Sequence, residues 1–394
     1  MNPRPLNALT EAKGSAGIMF VAGDPSGDAH AAPIIRALKI SDPSLELFGI
    51  GGPLMEAAGF KTLLPFAPFN KMGIAEVLAH LPFFLRAKKF LIRTLRERRP
   101  RALVCIDYPG FNIPMLKAAH ALEIPVVWYI VPQVWAWKKK RAAVLGNHAS
   151  FIGTIFPFEL HSFTPYRAPV AFVGHPLVEE LHRRKLQRPR VIFDDLATRH
   201  EQKRLRCAIL PGSRAQEIRQ MLAPMAEAFR ILRRSYPGMT GVVSRFASLS
   251  EDLFRGIHAE YGLELSSDPL DDLLDRCDVA IVTSGTATLQ TALRCIPLVV
   301  AYKTSPLTYA ALKRLVTVPF IGLPNIVAGK KIVPECIQDK VTGQCLADAL
   351  KPCIDSLDVY RQITGELALL ESKLGAKRPS EEIARVIAGC GMER

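Results

Sequence analysis

The sequence lacks the cysteine patterns that indicate disulfide scaffolds or zinc sites. Its 8 cysteines stand singly, with no C-x-x-C pair and no cysteine–histidine cluster at the spacing of zinc ligands. Cys105, Cys207 and Cys277 lie in or beside apolar stretches, where cysteine is usually a small core residue. We therefore expect a reduced, cytoplasmic chain without structural disulfides, a metal ion or a cofactor.

Long apolar runs are missing as well. No run reaches the roughly 18–20 residues that a membrane-spanning helix needs. The residues before Gly17 contain no hydrophobic signal core, so export is not expected. The P-loop pattern G-x-x-x-x-G-K-[ST] is also absent. What is present is a chain of 394 residues, 49% of them hydrophobic, which is enough for two domains with separate cores.

The formal net charge of +14 indicates anionic partners. No recognised nucleic-acid-binding module accompanies it, which leaves acidic lipids and phosphorylated substrates. The segment from Phe83 to Arg99 predicts a helix with cations on one narrow arc, namely Arg86, Lys89, Arg93 and Arg96. Its aromatic residues belong to the broad apolar arc opposite, namely Phe83, Phe84 and Phe90. Such a helix suits the surface of an anionic membrane, and equally a helix packed on a sheet with a solvated basic face.

Apolar strand-like segments alternate with helix-like segments in both halves of the chain. The predicted strands are Gly17–Ala22, Leu45–Gly49, Ala102–Ile106, Pro125–Ile130, Cys207–Leu210, Gly241–Ser244, Val279–Thr283 and Leu298–Tyr302. This alternation predicts an α/β fold with two Rossmann-like, doubly wound parallel-sheet domains that face each other across a cleft. A glycine-rich turn is predicted at Gly49–Pro53.

The composition also suggests domain boundaries. We expect an N-terminal domain over residues 15–185 and a second domain over residues 200–360. The stretch Leu181–Arg206 is rich in charge and poor in apolar periodicity, which predicts a linker with charged surface loops. Residues 361–394 are expected to be mostly helical and to pack back on the N-terminal domain. Ligands of doubly wound sheets bind outside the carboxyl ends of the strands, so the loops after the strands are the candidate sites.

Three short motifs lie in the second half: Leu210–Arg214 (LPGSR), Ser284–Gln290 (SGTATLQ) and Leu323–Asn325 (LPN). In the first two, a strand passes into a helix, so free N–H groups and the helix dipole are predicted to cradle a diphosphate. Arg214 offers a guanidinium to phosphate, and Glu217 either restrains it or is only a first-turn acid. A plain helix cap at Ser284 and a turn-holding role for Asn325 remain as alternatives.

Polar residues also follow the strands of the first half. Asp107 comes directly after ALVCI, where a carboxylate either accepts a proton from an acceptor hydroxyl or hydrogen-bonds its own turn. The loop Gly23–Asp28 suits a sugar, and equally a helix cap. The run Pro132–Arg141 joins two indoles to a basic stretch that suits acyl, sugar or phosphate contacts. His175 is a candidate base or a structural histidine.

Ten runs spread over both halves resemble the lipid-A-disaccharide synthase family of inverting glycosyltransferases. They are AGDPSGD (Ala22–Asp28), GIGGPLM (Gly49–Met55), MGIAEVL (Met72–Leu78), IDYPGFN (Ile106–Asn112), VWAWKKKR (Val134–Arg141), FPFE (Phe156–Glu159), VGHP (Val173–Pro176), LPGSRAQEI (Leu210–Ile218), SGTATLQ and LPNIVAGKKIVPECIQD (Leu323–Asp339). The resemblance implies a GT-B fold and metal-independent transfer of 2,3-diacylglucosamine from its UDP conjugate to 2,3-diacylglucosamine 1-phosphate (lipid X), with release of UDP. It also implies a peripheral enzyme on the inner face of the cytoplasmic membrane.

The resemblance further assigns roles by motif. It makes Asp107 the base for the acceptor's 6-hydroxyl, with Asp24, where the family usually has Glu, orienting acceptor or base. Donor contacts fall on Ser213, Arg214, Glu217, Ser284, Gly285, Thr286, Gln290 and Asn325. Acceptor contacts fall on Ser26, Met72 and Trp135, and membrane contacts on Phe83, Phe84, Arg86, Lys89, Phe90 and Arg93. The sequence departs from the family at Gln290, a usual Glu, at Gly110, a usual acid, and at Gln133, a usual Ser.

Two other functions stay open at this point. An epimerase acting on UDP-N-acetylglucosamine shares the twin domains and the UDP site, but it needs neither a membrane-facing helix nor a loop with two tryptophans. A non-catalytic peripheral membrane protein would keep a degenerate nucleotide fold. The residues decide neither whether the chain forms a homodimer nor which acyl chains it prefers.

Overall fold

Two parallel sheets organise the chain, and they confirm the predicted α/β class. The computed structural model describes residues 17–66, 81–134, 140–187, 196–305, 309 and 319–390. The chain divides into one unit formed by Met1–Glu179 with Ala376–Arg394, and a second formed by Glu180–Gly375. The first unit therefore takes its last segment from the end of the chain.

The strands and helices follow one another in the alternation that the sequence predicts. The strands are β1 (Ile18–Ala22), β2 (Leu47–Gly51), β3 (Lys61–Pro65), β4 (Ala102–Ile106), β5 (Val126–Tyr129), β6 (Phe151–Thr154), β7 (Val170–Phe172), β8 (Arg206–Leu210), β9 (Thr240–Ser244), β10 (Glu264–Ser266), β11 (Val279–Thr283), β12 (Leu298–Tyr302) and β13 (Glu335–Ile337). The α-helices are α1 (Pro25–Ser41), α2 (Pro53–Ala57), α3 (Leu81–Arg98), α4 (Pro109–Ala121), α5 (Lys140–His148), α6 (Pro176–Gln187), α7 (Leu196–Glu201), α8 (Ala215–Ser235), α9 (Ile257–Tyr261), α10 (Leu270–Leu274), α11 (Thr286–Leu293), α12 (Leu323–Ala328), α13 (Gly343–Asp355), α14 (Leu357–Leu374) and α15 (Pro379–Gly389).

The strand order is that of a doubly wound fold in each unit. The first sheet runs β3-β2-β1-β4-β5-β6-β7 and the second runs β10-β9-β8-β11-β12-β13. In each sheet the order reverses at one point, between β1 and β4 and between β8 and β11. Open sheets of this kind bind ligands outside the carboxyl ends of the strands at that reversal.

The core of the first unit shows why its strands read as continuous apolar runs. Side chains of successive strand residues point to opposite faces of a sheet, and here both faces are covered. Ile18 and Phe20 of β1 belong to the core that α1 and α15 cover, whereas Met19 and Val21 belong to the core that α3 and α4 cover. Each of these four side chains is at most 1% exposed.

Two sequence predictions are wrong in detail. The turn predicted at Gly49–Pro53 begins later, since β2 continues to Gly51. Gly49 lies inside this strand, where its φ of +140° and missing side chain allow a close approach to β1. A Cβ at Gly49 would lie 2.1 Å from the carbonyl oxygen of Phe20. The stretch predicted as a linker contains the end of α6 and the whole of α7. Some of its charged side chains form ion pairs, as in the 2.6 Å contact between Arg199 and Asp278, whereas Glu201 and Arg204 are exposed.

Candidate functional site

The reversal point of the first sheet brings together two of the predicted loops. Ala22 of β1 pairs with Ile106 of β4, so the residues that follow them leave the sheet side by side. Those residues are the loop Gly23–Asp28 and the turn that begins at Asp107. Both carboxylates assigned to catalysis, Asp24 and Asp107, therefore lie at the place where a doubly wound sheet binds its ligand.

Asp107 is held in an uncommon backbone conformation. Its φ is 42° and that of Tyr108 is 48°, both in the left-handed region that residues other than glycine rarely adopt. The buried side chain of Asn112 stabilises this turn, because its Nδ2 donates to the carbonyl oxygen of Asp107 at 2.8 Å. The same Nδ2 lies 3.3 Å from the carbonyl oxygen of Val21, which ties β1 to the turn. Sequence reasoning gave Asn112 no role, although it belongs to the IDYPGFN run.

The surroundings of Asp107 favour proton uptake. Burial, and after it the negative charge of Asp24, raise the pKa of Asp107 from 3.8 to about 7. A hydrogen bond from the N–H of Tyr108 and the positive charge of Arg141 oppose this rise. A carboxylate with a pKa near neutrality has the proton affinity that a general base needs at physiological pH. Tyr108 was not among the residues predicted from the sequence, and Arg141 was predicted only as part of the basic stretch that suits acyl, sugar or phosphate contacts.

Asp24→Asn should move the acid limb of the pH–rate profile to lower pH. The substitution removes the charge that helps to raise the pKa of Asp107. It should leave α1 intact, because Asn is as good an N-cap as Asp and Asp24 accepts the N–H of Gly27 at 2.7 Å. Arg141→Gln is the opposite control, since loss of its positive charge should move the limb to higher pH. An unchanged limb in both variants would contradict the assignment of Asp107 as the titrating group.

Other polar residues of this rim have structural partners. Ser26 is exposed, and its Oγ lies 3.2 Å from Nε2 of His30. Burial lowers the pKa of His30 to about 4. The carboxylate of Asp28 accepts the N–H groups of Gly52, Leu54 and Met55 at 3.0–3.1 Å, so it caps α2.

His175 does not have the surroundings of a base. Burial, followed by the neighbouring His30, lowers its pKa to about 3. Its Nδ1 accepts the N–H of Leu177 at 3.1 Å, which holds the first turn of α6. Met72 and Trp135, the other residues predicted to contact the acceptor, lie outside the described residues.

The reversal point of the second sheet brings together the two predicted phosphate motifs. Leu210 of β8 pairs with Val282 of β11, so LPGSR and SGTATLQ leave this sheet next to each other. The prediction that a strand passes into a helix at each motif is correct, since α8 begins at Ala215 and α11 at Thr286. Both candidate donor motifs thus lie at the ligand-binding edge of the second sheet.

Glu217 organises the LPGSR turn. One carboxylate oxygen accepts the N–H of Ser213 at 2.8 Å, and the other accepts from the guanidinium of Arg214 at 3.1 Å. Gly212 has a φ of +123°, and a Cβ there would lie 2.4 Å from the Glu217 carboxylate. The N–H groups that the sequence predicted to face an anion therefore donate to Glu217, because a carboxylate in the first helical turn can fold back and cap it. The Arg214 side chain remains 57% exposed.

The SGT turn is more open. Ser284 donates from its Oγ to the carbonyl oxygen of Ile321 at 3.1 Å. Gly285 and Thr286 are exposed, and a Cβ on Gly285 would meet nothing within 4 Å. Among the described residues, no carbonyl or side chain accepts the N–H groups of Gly285, Thr286 or Ala287. This helix start offers the unsatisfied donors and positive dipole that bind phosphate.

Asn325 lies in the interior rather than at an open edge. It is fully buried, and its Nδ2 donates to Val333 and to the Glu335 carboxylate at 2.9 and 2.8 Å. Its Oδ1 accepts the N–H groups of Ile332 and Val333 at 2.7 and 3.0 Å. Since both amide hydrogens and the oxygen are used within the chain, Asn325 supports the start of α12, and direct donor contact stays a prediction.

The predicted basic helix is α3, and one of its faces packs on the sheet. Ala87, Leu91 and Leu95 are buried against it. Arg86, Lys89 and Arg93 are exposed, as predicted, and Arg93 pairs with Glu97 at 2.6 Å. Phe83 and Phe84 are partly buried against the same core. Phe90, predicted on the apolar arc, is 44% exposed, and Leu85 is 51% exposed. The exposed face therefore combines cations with apolar side chains, because Arg86 precedes Phe90 by one helical turn.

Residues 17–66, 81–134, 140–187, 196–305, 309 and 319–390, which the structure describes, contain neither a membrane-spanning helix nor a cluster of metal ligands. No helix in this part of the chain combines the length and apolar character needed to cross a membrane. Across the same ranges, no group of three or more His, Cys, Asp and Glu side chains is placed to hold a metal ion.

Comparison with known proteins identifies the family. The family model for lipid-A-disaccharide synthetase matches residues 18–386. The lipid-A-disaccharide synthase of Geobacter sulfurreducens is 36% identical over 374 residues, which cover 94% of this chain and 96% of that protein. Two solved structures share the fold. UDP-GlcNAc 2-epimerase from Neisseria meningitidis bound to UDP-GlcNAc has a TM-score of 0.60 at 12% identity, covering 94% of this chain and 99% of that chain. The glycotransferase of kitacinnamycin has a TM-score of 0.60 at 14% identity, covering 97% of this chain and 100% of that chain. The sequence match over nearly the whole chain, on a GT-B fold, means that this chain belongs to the lipid-A-disaccharide synthetase family.

Proposed function

We propose that the chain transfers 2,3-diacylglucosamine from its UDP conjugate to the 6-hydroxyl of lipid X, giving the lipid A disaccharide 1-phosphate and UDP. Membership of the synthetase family supports the reaction class. The observation that carries the assignment within the chain is Asp107, a carboxyl at the reversal point of the first sheet with a pKa of about 7.

In the proposed reaction Asp107 is the general base. Its carboxylate accepts the proton of the acceptor's 6-hydroxyl while that oxygen forms a bond to the anomeric carbon of the donor. The bond between the anomeric carbon and the diphosphate oxygen breaks, and UDP leaves with the electron pair. Attack from the face opposite UDP inverts the anomeric configuration. General base catalysis of this kind typically contributes a factor of about 10²–10⁴ to the rate.

The second unit would bind the departing UDP. The open N-terminus of α11 supplies N–H donors, and Arg214 supplies a guanidinium that matches phosphate oxygens. Both groups stabilise negative charge on the diphosphate, and this charge increases as the bond between the anomeric carbon and the diphosphate oxygen breaks. Ser213, Ser284 and Gln290 lie in the same two motifs and complete the proposed donor site.

We also propose that α3 contacts an anionic membrane, where the acylated substrates reside. Exposed cations together with the exposed side chains of Leu85 and Phe90 support this role, because amphipathic helices bind membranes through both charge and apolar area. The location would then be the inner face of the cytoplasmic membrane.

Reversing Arg86 and Lys89 to Glu should weaken binding to vesicles that contain anionic lipid. Each cation near such a surface contributes about 1 kcal/mol, so the double reversal should lower the partition coefficient at least tenfold. Vesicle co-sedimentation would measure it. Reversing Arg234 and Arg361, which are also exposed, changes the net charge equally and should have a smaller effect. Equal effects of the two pairs would contradict a specific role for α3.

The reaction can be tested directly. Purified protein is incubated with UDP-diacylglucosamine and lipid X, and the product is read by mass spectrometry. Formation of the disaccharide 1-phosphate with equimolar UDP is expected. Conversion of a UDP-sugar without any acceptor would instead favour an epimerase, and vesicle binding without UDP release would favour a non-catalytic protein.

A further inference from the structure

One side of α11 carries a polar row that begins at the proposed diphosphate site. Thr286, Gln290 and Arg294 are spaced by four residues, so they follow one another along this side. Thr286 is exposed at the open helix start. Asp271 of α10 contacts the other two: it accepts from Nε2 of Gln290 at 2.8 Å and from Nε of Arg294 at 3.0 Å. The side chain of Asp271 therefore fixes the middle member of the row.

The chemistry of this contact fixes the orientation of the Gln290 amide. An ionised carboxylate only accepts hydrogen bonds, so the amide must turn its NH₂ group to Asp271. Its carbonyl oxygen, Oε1, then points away from Asp271 as an acceptor. A glutamate at position 290 would have no hydrogen to donate and would place a second negative charge against Asp271.

The surrounding charges reinforce the requirement for a neutral side chain. Arg294 is 7% exposed and also pairs with Asp275. Arg184 pairs with Asp272 at 2.5 Å and with Asp275 at 3.1 Å. In the part of the chain that the structure describes, these contacts join Asp271, Asp272 and Asp275 to Arg184 and Arg294. A carboxylate at position 290 would stand directly against Asp271, in partly buried surroundings that disfavour a like-charged pair.

We propose that Asp271 is a positioning residue for donor binding. By holding Nε2 of Gln290, it directs Oε1 to accept a ribose hydroxyl of the nucleoside diphosphate, and it makes an amide the suitable group at position 290. Gln290 stands where the family usually has a glutamate, and in this chain Asp271 provides the acceptor for the Gln290 amide. This inference rests on the proposed function, because it requires that the second unit bind UDP.

The test exchanges the amide of Gln290 and the carboxylate of Asp271 between the two positions. Q290E, D271N and the double variant Q290E/D271N are compared with wild type for binding of UDP and of 2′,3′-dideoxy-UDP by calorimetry. Thermal unfolding is followed in parallel. Q290E should weaken UDP binding about tenfold, because repulsion between the new carboxylate and Asp271 moves the accepting oxygen away from the ribose hydroxyl, and the loss of one hydrogen bond is of this size. In the double variant the amide at position 271 donates and the carboxylate at position 290 accepts, so the pair is restored with its roles exchanged. UDP affinity should recover to within about threefold of wild type.

The ratio of affinities separates positioning from a general loss of stability. Wild type should prefer UDP over the dideoxy analogue by about tenfold, Q290E should lose most of this preference, and the double variant should regain it. Gln344 offers a matched control, because its Nε2 donates to both oxygens of Asp348 at 2.9 Å on the exposed side of α13. Q344E should leave UDP affinity and preference unchanged.

Two results would overturn the role of Asp271. In the first, Q290E prefers UDP over the dideoxy analogue as strongly as wild type does. In the second, the double variant binds UDP no more tightly than Q290E. A wild-type chain that fails to bind UDP would overturn the proposed donor site and this role together. Wild-type binding with unaffected variants would overturn only the positioning role.

Discussion

Asp107→Asn is expected to reduce disaccharide formation by about 10²–10⁴ while the Kd for UDP stays within about twofold of wild type. Asparagine keeps the shape of the side chain but cannot take up the proton of the acceptor hydroxyl. The proposed UDP site lies on the other unit of the chain, so donor affinity is not expected to depend on this carboxyl. Single-turnover rates with saturating lipid X, together with calorimetry of UDP binding, would measure both quantities. A variant with near-normal rate would exclude Asp107 as the base.

The same substitution should stabilise the protein at alkaline pH. In the unfolded chain Asp107 ionises near its ordinary pKa of 3.8, whereas in the folded protein its pKa is about 7. The folded state therefore holds a proton that the unfolded state releases. Because of this difference, Asp107 lowers the free energy of unfolding as the pH rises from about 4 to 7, and the decrease reaches a few kcal/mol above pH 7. An asparagine at position 107 has no carboxyl proton to lose, so the variant does not show this decrease. Thermal unfolding should give Asp107→Asn a higher Tm than wild type at pH 8, and a smaller difference at pH 5.

Asp28→Asn provides the contrast for that stability measurement. Asp28 is a carboxylate of the same loop region, but it is 2% exposed and accepts three backbone N–H groups. Replacing one oxygen by an NH₂ group removes an acceptor from these donors and should destabilise the fold by about 1–3 kcal/mol. If both variants shifted Tm in the same direction at pH 8, the argument from the raised pKa of Asp107 would fail.

The central strands and both ligand-binding edges were predictable from the sequence. β4, β11 and β12 have the predicted bounds because they are buried on both faces and read as unbroken apolar runs. Five short strands were not predicted, namely β3, β6, β7, β10 and β13. β6 is an inner strand of only four residues, FIGT, one of them a glycine. β3, β7, β10 and β13 lie at the edges of the two sheets. A short edge strand with one solvated face has too few apolar residues to stand out in a sequence.

The hydrogen-bond partners and pKa values of the site residues were less predictable than their positions in the fold. Asp107 and Arg214 could be located because each directly follows a strand or opens a helix. The partner of Gln290 lies on another helix, and the partner of Asn325 lies ten residues further on, beyond a turn. Such contacts depend on how the chain folds back on itself, and neither periodicity nor local spacing encodes them. The raised pKa of Asp107 depends likewise on burial, and after it on Asp24, a residue that follows a different strand.

Arg214→Ala is the second variant with a large expected effect, this time on donor binding. Charge-assisted hydrogen bonds from arginine to phosphate contribute about 1.5–3 kcal/mol, so the Kd for UDP should rise about 10- to 100-fold. Because negative charge on the diphosphate increases as UDP leaves, kcat should fall as well. Arg214→Lys should recover only part of the affinity, since an ammonium lacks the planar fork that contacts two phosphate oxygens. Calorimetry with UDP and steady-state kinetics would measure these changes.

The same helix offers a matched control for Arg214. Arg230 forms an equivalent pair with a glutamate three residues away, donating to Glu227 at 2.8 Å from both Nε and Nη2. It is exposed on α8, whereas Arg214 stands at the turn before that helix. Arg230→Ala should change stability by less than about 1 kcal/mol and should leave UDP affinity unchanged. If both arginine variants weakened UDP binding equally, the effect would come from the overall charge of the unit, and Arg214 would not contact the diphosphate.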